Sequence, residues 1–442
     1  KNKIADKFRL LDRSDVEYVR QKFSADGRKE LKEIWIRQRN LDMLSSDSNL
    51  EVDRSSTFHE VILSRTSSNS NTSDTIFFPC TQLFENVNSE FKVVIGPSGC
   101  GKTVLLKVII DKWLGINVDI WTFPDVEQYD AVLLLDSTSC LSNSIAELLK
   151  THYPKTLSFL PNQAISDGIG SHLKILFLVD GYDEFSENTK RDFKKLVESY
   201  KMNTNRSFII TSRQDACSDL CLYLTSRGIV HQTVTIEPVS NSDEQIRFIR
   251  RYQEALQDNQ VTDMVDTFKH LPESVKEALV YPLVLAMFCY SCKEDKKSVT
   301  GWKSDWHVFS SYFISCKRKM EVRSEVEDSS MVLDCLLRLL CKESLKFIIS
   351  SQYSFTEHDY KKICQNCFKE TGIRISFNKV LSCILVSKSS VSNTDKLYGF
   401  FHMSFMEYLG AKYVVYELEE LQNEGKGEKK IWPNKRRHQQ RR

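Results

Sequence analysis

Five short apolar runs alternate with polar stretches of helical periodicity in the middle of the chain. The runs are FKVVI, AVLLLD, LKILFLVD, RSFIITS and TVTIEP, which begin at residues 91, 131, 173, 206 and 233. Their apolar residues are continuous instead of alternating with polar ones, which is typical of strands buried on both faces. The pattern therefore predicts a parallel sheet covered by helices, an α/β fold.

The sequence on either side of this segment predicts mainly helices. Residues 1–63 contain charged amphipathic stretches such as LKEIWIRQRNLDML, and residues 64–90 contain the polar, aperiodic string SRTSSNSNTSD, which favours a linker or loop. After residue 240, apolar residues recur at helical spacing, beginning with a Ser/Asp cap in SDEQIRFIRRYQEALQ. Two short β-like runs, CILVS and KLYGFF, interrupt this pattern within residues 375–401.

Composition limits the function classes. The chain has 442 residues and a net charge of +2, so no overall positive field favours bulk nucleic-acid binding. No apolar run approaches the roughly 18 residues that a membrane span needs. The chain has no initiator Met and no signal-peptide pattern, so we expect it to be a fragment of a longer cytoplasmic protein.

The thirteen cysteines are an odd number, and many lie in apolar runs. This usage is typical of reduced, buried thiols in a cytosolic protein and not of a disulfide framework. Two CxxC pairs, Cys289/Cys292 and Cys364/Cys367, could supply four zinc ligands. Both pairs lie in helical sequence and far apart, so buried core thiols are the preferred interpretation.

A glycine-rich loop follows the first apolar run. The string GPSGCGKT at residues 96–103 matches G-x-x-x-x-G-K-[ST], with a predicted strand before it and a helix after it. Glycines allow the loop to turn its N–H groups towards anionic oxygens, the lysine adds a positive charge, and the threonine hydroxyl can bind Mg²⁺. The predicted phosphate-binding residues are Gly96, Pro97, Ser98, Gly99, Cys100, Gly101, Lys102, Thr103 and Val104.

A group of carboxylates follows the apolar run LFLV. Asp180 is placed at the carboxyl end of a buried strand, the edge of a parallel sheet where ligands bind, and is predicted to hold Mg²⁺ together with Thr103. Asp183 and Glu184 follow closely enough to orient or deprotonate an attacking water, so the three carboxylates are the predicted catalytic residues. The alternative is that they cap the helix that follows.

Arg213 ends the run FIITSR, at the carboxyl end of another predicted strand. A guanidinium there could contact a γ-phosphate and sense its presence. The alternative is a simple surface charge.

Together these motifs resemble the NACHT family of signal-transduction NTPases, the nucleotide-binding module of NOD-like receptors. The resemblance covers residues 91–420 and rests on GPSGCGKT, LFLVDGYDE, the sensor string Thr211-Ser212-Arg213, YPLVLAMFC and FFHMSFMEYLGAKYV. It implies that Pro282 packs on adenine and that His402 contacts the β-phosphate of bound ADP. Tyr281 stands where the family often has Asn, and Gly410 where it often has Ala.

The resemblance also implies a domain order. The predicted segments are an N-terminal helical region (1–63), a linker (64–90), the α/β nucleotide-binding domain (91–240), helical domain 1 (241–300), a winged-helix domain (301–401), the end of the winged helix with the start of helical domain 2 (402–428), and a basic tail (429–442).

The function that the resemblance implies is an ATP/ADP switch with Mg²⁺ as cofactor. Slow ATP hydrolysis would reset the switch, and the ATP form would assemble into a homo-oligomer for intracellular signalling, in innate immunity or stress sensing. The alternative is an ATP-driven motor with sustained turnover, for which Arg247, Arg250 and Arg251 are candidate trans-acting arginines. The chain has no guanine-specificity N-K-x-D motif and no LSGGQ-like transporter signature, and the basic tail is more typical of a linker or localisation signal than of a nucleic-acid contact.

Overall fold

A computed structural model of the chain shows two compact units: the described residues from 17 to 303 form the first, and those from 304 to 425 the second. The structure describes residues 17, 20–21, 23–39, 57–66, 74–85, 90–116, 123–137, 145–158, 172–198, 205–256, 263–324, 329–350, 352–373, 380–381, 384–388, 397–400 and 402–425. The predicted basic tail at 429–442 lies outside these residues.

The first unit is built on a seven-stranded sheet. Its strands are Ile62–Thr66 (β1), Thr75–Pro79 (β2), Phe91–Ile95 (β3), Ala131–Leu135 (β4), Ile175–Val179 (β5), Arg206–Ser212 (β6) and His231–Ile236 (β7). They lie in the order β2-β1-β7-β3-β6-β5-β4. The five strands from β3 to β7 are parallel, as the continuous apolar runs predicted.

The parallel strands form the core of this unit. Every residue of β3 and β5 is buried. Phe208 stacks between Phe91 and Phe177 across three neighbouring strands, with ring centroids 4.4 and 4.6 Å apart. Because both faces of these strands are buried, the sheet needs helices on both sides.

The helices of the first unit are Arg28–Arg39 (α1), Lys102–Trp113 (α2), Ile145–His152 (α3), Pro154–Leu157 (α4), Glu187–Glu198 (α5), Gln214–Ser226 (α6), Ser242–Ala255 (α7), Met264–Lys269 (α8), Glu273–Lys276 (α9) and Pro282–Val299 (α10). Helix α7 is capped by Asn241, whose side chain accepts a hydrogen bond from the N–H of Asp243, and not by the predicted Ser or Asp. The α/β fold with a following helical region is confirmed.

The segment predicted as a linker, residues 64–90, differs from the prediction. Its beginning belongs to β1, and β2 and the 3₁₀ turn Cys80–Phe84 follow within it. β1 pairs antiparallel with both β2 and β7, where Leu63 lies opposite Ile236. The polar composition of this segment favours a loop. β1 is nevertheless a strand because it pairs with β7, which lies far along the chain.

The second unit combines helices with a small antiparallel sheet. Its helices are Trp306–Ser324 (α11), Ser329–Ile349 (α12), Glu357–Thr371 (α13) and Met403–Gly425 (α14), and its strands are Phe355–Thr356 (β8), Leu385–Lys388 (β9) and Leu397–Phe400 (β10). The strand order is β8-β10-β9. This arrangement does not confirm the predicted winged helix, which stays a prediction. Within the described residues, none of the helices is both long and apolar enough to cross a membrane.

Candidate nucleotide-binding site

The glycine-rich loop joins β3 to the first turn of α2. Gly99 and Gly101 have positive φ angles of 80° and 105°, a conformation that side chains disfavour. A Cβ atom at Gly99 would also lie 3.0 Å from Cβ of Leu283. Both the backbone conformation and the lack of space therefore favour glycine at this position. The loop therefore delivers the N–H groups at the start of α2, which have no partner within a helix, to one point at the sheet edge.

Lys102 folds back over this loop. Its Nζ donates hydrogen bonds to the carbonyl oxygens of Gly96 at 2.6 Å and Pro97 at 2.8 Å. These two acceptors hold the ammonium group beside the loop's N–H groups. The cation and the N–H groups together form a site of positive potential for a phosphate chain.

Asp180 lies directly beside the threonine of the loop. Its Oδ1 accepts hydrogen bonds from the hydroxyls of Thr103 and Thr211, each at 3.0 Å. The Thr211 hydroxyl also accepts from the N–H of Gly181 at 2.9 Å. Thr211 is fully buried at the end of β6, so it fixes both the carboxylate and the backbone that follows it.

The environment of Asp180 suits a hard cation. Burial raises the pKa of Asp180, and the hydrogen bonds from Thr103 and Thr211 and the charge of Lys107 act in the opposite direction. A hydroxyl and a carboxylate oxygen in contact are the donor types that Mg²⁺ prefers. The residues predicted to hold magnesium therefore fit that ion.

Arg213 connects the acidic turn to the loop. Its Nε forms an ion pair with Asp183 Oδ2 at 3.2 Å, and its N–H donates to Asp183 Oδ1 at 3.2 Å. Its Nη2 lies 3.4 Å from Ser98 Oγ. Because β6 lies between β3 and β5, the arginine at its end is placed between the loop and the carboxylates.

The carboxylates are not the cap of the following helix. The side chain of Ser186 accepts from the N–H of Thr189 at 3.1 Å and caps α5 instead. Asp183 and Glu184 lie on the 3₁₀ turn Tyr182–Glu184 at the carboxyl end of β5. Both side chains are partly exposed, so they are accessible to a ligand or water at this edge.

Two further segments border the loop. Pro282 is the first residue of α10, and the N–H of Leu283 donates to the carbonyl of Gly99 at 3.2 Å. A Cβ at Gly101 would lie 3.9 Å from Cγ of Pro282 and 3.8 Å from Cγ1 of Val61. The structure thus brings Pro282 to the loop.

The segment around Val61 was not identified from the sequence. Arg251 Nη1 donates to the carbonyl of Phe58 at 2.9 Å, which ties this segment to α7. Burial, with the charges of Arg251 and Arg247, lowers the pKa of the intervening His59 to about 4. No local motif signals this segment, because its place beside the loop depends on β1 pairing with β7.

His402 belongs to the second unit, where it precedes α14. Its Nδ1 accepts a hydrogen bond from the N–H of Ser404 at 3.1 Å. The neutral ring must therefore hold its proton on Nε2. Its contact with a phosphate stays a prediction.

The two CxxC pairs occur in separate units, Cys289/Cys292 on α10 and Cys364/Cys367 on α13. Cys289, Cys292 and Cys367 are buried. Across the part of the chain that the structure describes, no group of three or more His, Cys, Asp or Glu side chains is arranged to hold a metal ion.

Comparisons with known proteins agree with the loop and its surroundings. Residues 90–255 match the family model of the NACHT domain. The chain is 20% identical over 322 residues to NLR family CARD domain-containing protein 4 of Xenopus tropicalis, a match that covers 72% of this chain and 29% of the relative. It is 22% identical over 343 residues to NACHT, LRR and PYD domains-containing protein 3 of Rattus norvegicus, covering 74% of this chain and 30% of the relative.

Solved structures give only a distant likeness. The Aeropyrum pernix ORC1 protein in complex with DNA is 11% identical with a TM-score of 0.34, covering 77% of this chain and 91% of that one. Cdc6p from Pyrobaculum aerophilum is 15% identical with a TM-score of 0.29, covering 74% and 88%. TM-scores at this level carry no weight for function.

The family assignment thus rests on the domain match and on the glycine-rich loop, the acidic turn and Arg213, which lie within it. The chain spans about a third or less of the length of the two NLR relatives. Residues 90–255 are a NACHT-type P-loop NTPase domain, related to those of NLR proteins.

Proposed function

We propose that the chain is an ATP/ADP-binding switch that controls nucleotide-dependent oligomerisation in cytoplasmic signalling, with slow ATP hydrolysis. The observation that supports this most is a continuous set of contacts among three strand ends. Thr103 and Thr211 both hydrogen-bond to Asp180, and Arg213 contacts both Asp183 and Ser98. A single nucleoside triphosphate bound at the carboxyl edge of the sheet would therefore contact the loop, the carboxylates and Arg213.

Each residue has a chemical role in this proposal. The loop N–H groups and Lys102 bind the phosphates, and Thr103 and Asp180 hold Mg²⁺, which neutralises charge on the phosphate oxygens when bound. Arg213 exchanges its contact with Asp183 for one with the γ-phosphate. Asp183 or Glu184 then orients the attacking water.

Helix α10 is the element that couples the bound nucleotide to movement of the chain. The hydrogen bond from the N–H of Leu283 to Gly99, and the close approach of the two residues, link this helix to the loop backbone. A loop that changes shape with its nucleotide must therefore move or strain α10. A ligand shifts such an equilibrium only by its difference in affinity for the two states, and one phosphate group is enough for a few kcal/mol.

The switch is preferred over a motor because two of the three candidate trans-acting arginines make contacts within their own chain. The third, Arg250, is exposed on α7 and stays the candidate of the motor alternative. Arg251 binds the carbonyl of Phe58 within its own chain, and Arg247 pairs with Glu244 at 3.4 Å. A motor of this type needs an arginine that reaches a neighbouring subunit. These contacts do not favour Arg251 or Arg247 in that role.

His402 is the proposed clamp of the ADP state. Its Nε2 proton, fixed by the acceptor role of Nδ1, makes the ring a donor to an anionic oxygen such as that of a β-phosphate. Ring orientation by the N–H of Ser404 would keep this donor ready without rearrangement.

The test is the identity of the nucleotide released from purified, heat-denatured protein. We expect stoichiometric ADP from the wild type, none from Lys102→Ala and a reduced amount from His402→Ala. Lys112→Ala, at the far end of α2, and His358→Ala, on α13, are the matched controls and should retain ADP.

Two results would contradict parts of the proposal. An empty wild-type site with fast steady-state ATP turnover would indicate the motor. Full ADP retention by His402→Ala would leave nucleotide binding intact but remove His402 as the clamp.

A further inference from the structure

Helix α6 contains two cysteines one turn apart. The Sγ atoms of Cys217 and Cys221 lie 3.3 Å from each other. Cys217 is 3% exposed, whereas Cys221 is partly exposed at the helix surface. One thiol is therefore accessible from outside, and the other lies directly behind it.

The surroundings make the two thiols unequal. The hydrogen bond from the Cys217 thiol holds the pKa of Cys221 below its usual range, against burial, and Thr233 and His231 lower this pKa further. The same hydrogen bond and burial raise the pKa of Cys217. The Thr233 hydroxyl lies 3.7 Å from Cys221 Sγ. Cys221, which is partly exposed and has the lowered pKa, is thus the thiol that loses its proton more readily and the better nucleophile of the two.

We propose that Cys217 and Cys221 form an oxidation site at which a hydroperoxide converts the pair into a disulfide within helix α6. The Cys221 thiolate attacks the peroxide, the O–O bond breaks, and a sulfenic acid forms on Cys221 while hydroxide leaves and takes up a proton as water. The Cys217 sulfur then attacks that sulfur, the S–S bond forms, and the second oxygen leaves as water. Two thiols and one hydrogen peroxide yield one disulfide and two molecules of water.

The bond would distort the first turns of α6. Residues four apart on a regular helix have Cβ atoms roughly 5–6 Å apart, but a disulfide needs about 3.5–4.5 Å. The same turn begins at Arg213, which is the N-cap of α6 and whose carbonyl accepts the N–H of Cys217 at 3.1 Å. Oxidation should therefore displace Arg213 from Asp183. This consequence for the sensor rests on the proposed nucleotide function, but the oxidation itself does not.

The same unit contains a matched cysteine pair that should not react. Cys289 and Cys292 on α10 are 0% and 1% exposed, and burial raises the pKa of both thiols. This pair is closer in sequence than Cys217 and Cys221 but has neither an accessible thiol nor a thiolate. The buried pair is therefore an internal control, which distinguishes selective oxidation of Cys217 and Cys221 from general oxidation of the chain.

Trypsin separates the two pairs cleanly. Cleavage after Arg213 and Arg227 gives the peptide 214–227 with Cys217 and Cys221 as its cysteines, and cleavage after Lys276 and Lys293 gives 277–293 with Cys289 and Cys292. The folded chain is treated with hydrogen peroxide, alkylated in denaturant and digested, and both peptides are weighed by mass spectrometry.

We expect peptide 214–227 to lose the mass of two hydrogen atoms and to take up no alkyl group until dithiothreitol is added. Peptide 277–293 should take up two alkyl groups throughout. Cys217→Ser should accumulate a sulfenic acid on Cys221 that a 1,3-dione traps, and Cys221→Ser should leave Cys217 fully alkylatable. The site is refuted if peptide 214–227 is doubly alkylated after peroxide, if both peptides oxidise together, or if Cys217 still oxidises in Cys221→Ser.

A separate nucleotide measurement tests the link to Arg213. The ratio of ATP to ADP affinity should fall about tenfold on oxidation, the expected loss of one hydrogen bond to a charged group, and should recover with dithiothreitol. If the disulfide forms and the ratio of ATP to ADP affinity does not change, the link between oxidation and Arg213 is refuted, but the oxidation site is not. Failure of reduced protein to bind either nucleotide would instead refute the proposed function.

Discussion

The two carboxylates that follow β5, Asp180 and Asp183, are held in different ways by groups at the carboxyl end of β6 and in the phosphate loop. Asp180 is held by neutral hydroxyls, those of Thr103 and Thr211, and burial raises its pKa. Asp183 is held by the guanidinium and the backbone N–H of Arg213. A hydroxyl contact can be shared with a metal ion, whereas an ion pair must be given up before its cation can bind a phosphate. The first arrangement suits a permanent metal ligand, and the second suits a switch that the γ-phosphate operates.

The largest effect should come from removing the metal ligand. Asp180→Asn keeps the size and the acceptor oxygen for the threonines but removes the charge that is proposed to hold Mg²⁺. Because a bound metal contributes several kcal/mol to phosphoryl transfer, we expect Mg²⁺-dependent ATP hydrolysis to fall about 100-fold or more. The measurement is single-turnover hydrolysis, and Asp192→Asn on α5 is the control, since that carboxylate pairs with Lys195 at 3.0 Å.

Asp183 is itself proposed to orient the attacking water, so the readout that separates the two carboxylates is the Mg²⁺ dependence of hydrolysis. If Asp183→Asn weakened the apparent Mg²⁺ affinity as much as Asp180→Asn does, the assignment of the metal to Asp180 would be wrong.

A smaller effect is expected at the ion pair. Arg213→Ala should weaken ATP binding about tenfold and leave ADP binding unchanged, because Arg213 is proposed to contact the γ-phosphate, which only ATP has. Asp183→Asn frees Arg213 from its partner and should leave ATP binding unchanged or tighter. Equilibrium titration with both nucleotides distinguishes these cases, and an equal loss of ATP and ADP affinity in Arg213→Ala would show that the arginine is structural.

Sequence patterns predicted the parallel strands and the phosphate loop because both are local. The strand runs are continuous and apolar, and the loop motif is read within a dozen residues. The hairpin of β1 and β2 could not be predicted, since the polar string at its centre favours a loop and its pairing partner β7 lies far along the chain. The place of Val61 beside Gly101 depends on that pairing and was missed with it.

The sequence also did not predict which of the site residues contact one another. Thr211 was noticed only as part of a sensor signature, but its buried hydroxyl bridges Asp180 and the N–H of Gly181. Spacing along the chain says which strand ends meet at an edge, and it does not say which hydroxyl faces which carboxylate. That depends on the parallel register of β5 with β6.

The role of Thr211 gives a third test of how Asp180 is held. Thr211→Val removes the buried hydroxyl and should weaken the apparent Mg²⁺ affinity of the nucleotide complex about tenfold, as for other groups that orient a metal ligand. Thr211→Ser keeps the hydroxyl and should restore it. Mg²⁺ titration of nucleotide binding is the readout, and an equal loss of ADP binding without Mg²⁺ would indicate a general packing defect instead.

The smallest effect, on stability, has opposite signs at the two carboxylates. Because burial raises the pKa of Asp180, its ionised form costs folding free energy at neutral pH; the folded state binds the proton more tightly, so this cost disappears as pH falls through the raised pKa. Asp180→Asn should therefore raise the Tm at pH 7 and lose that advantage in acid. Asp183→Asn leaves a guanidinium that is 29% exposed without its carboxylate and should lower the Tm by about 2–4 °C. Thermal melts without Mg²⁺, at matched nucleotide content, measure both shifts. Shifts of the same sign would mean that the two carboxylates after β5 are held in the same way.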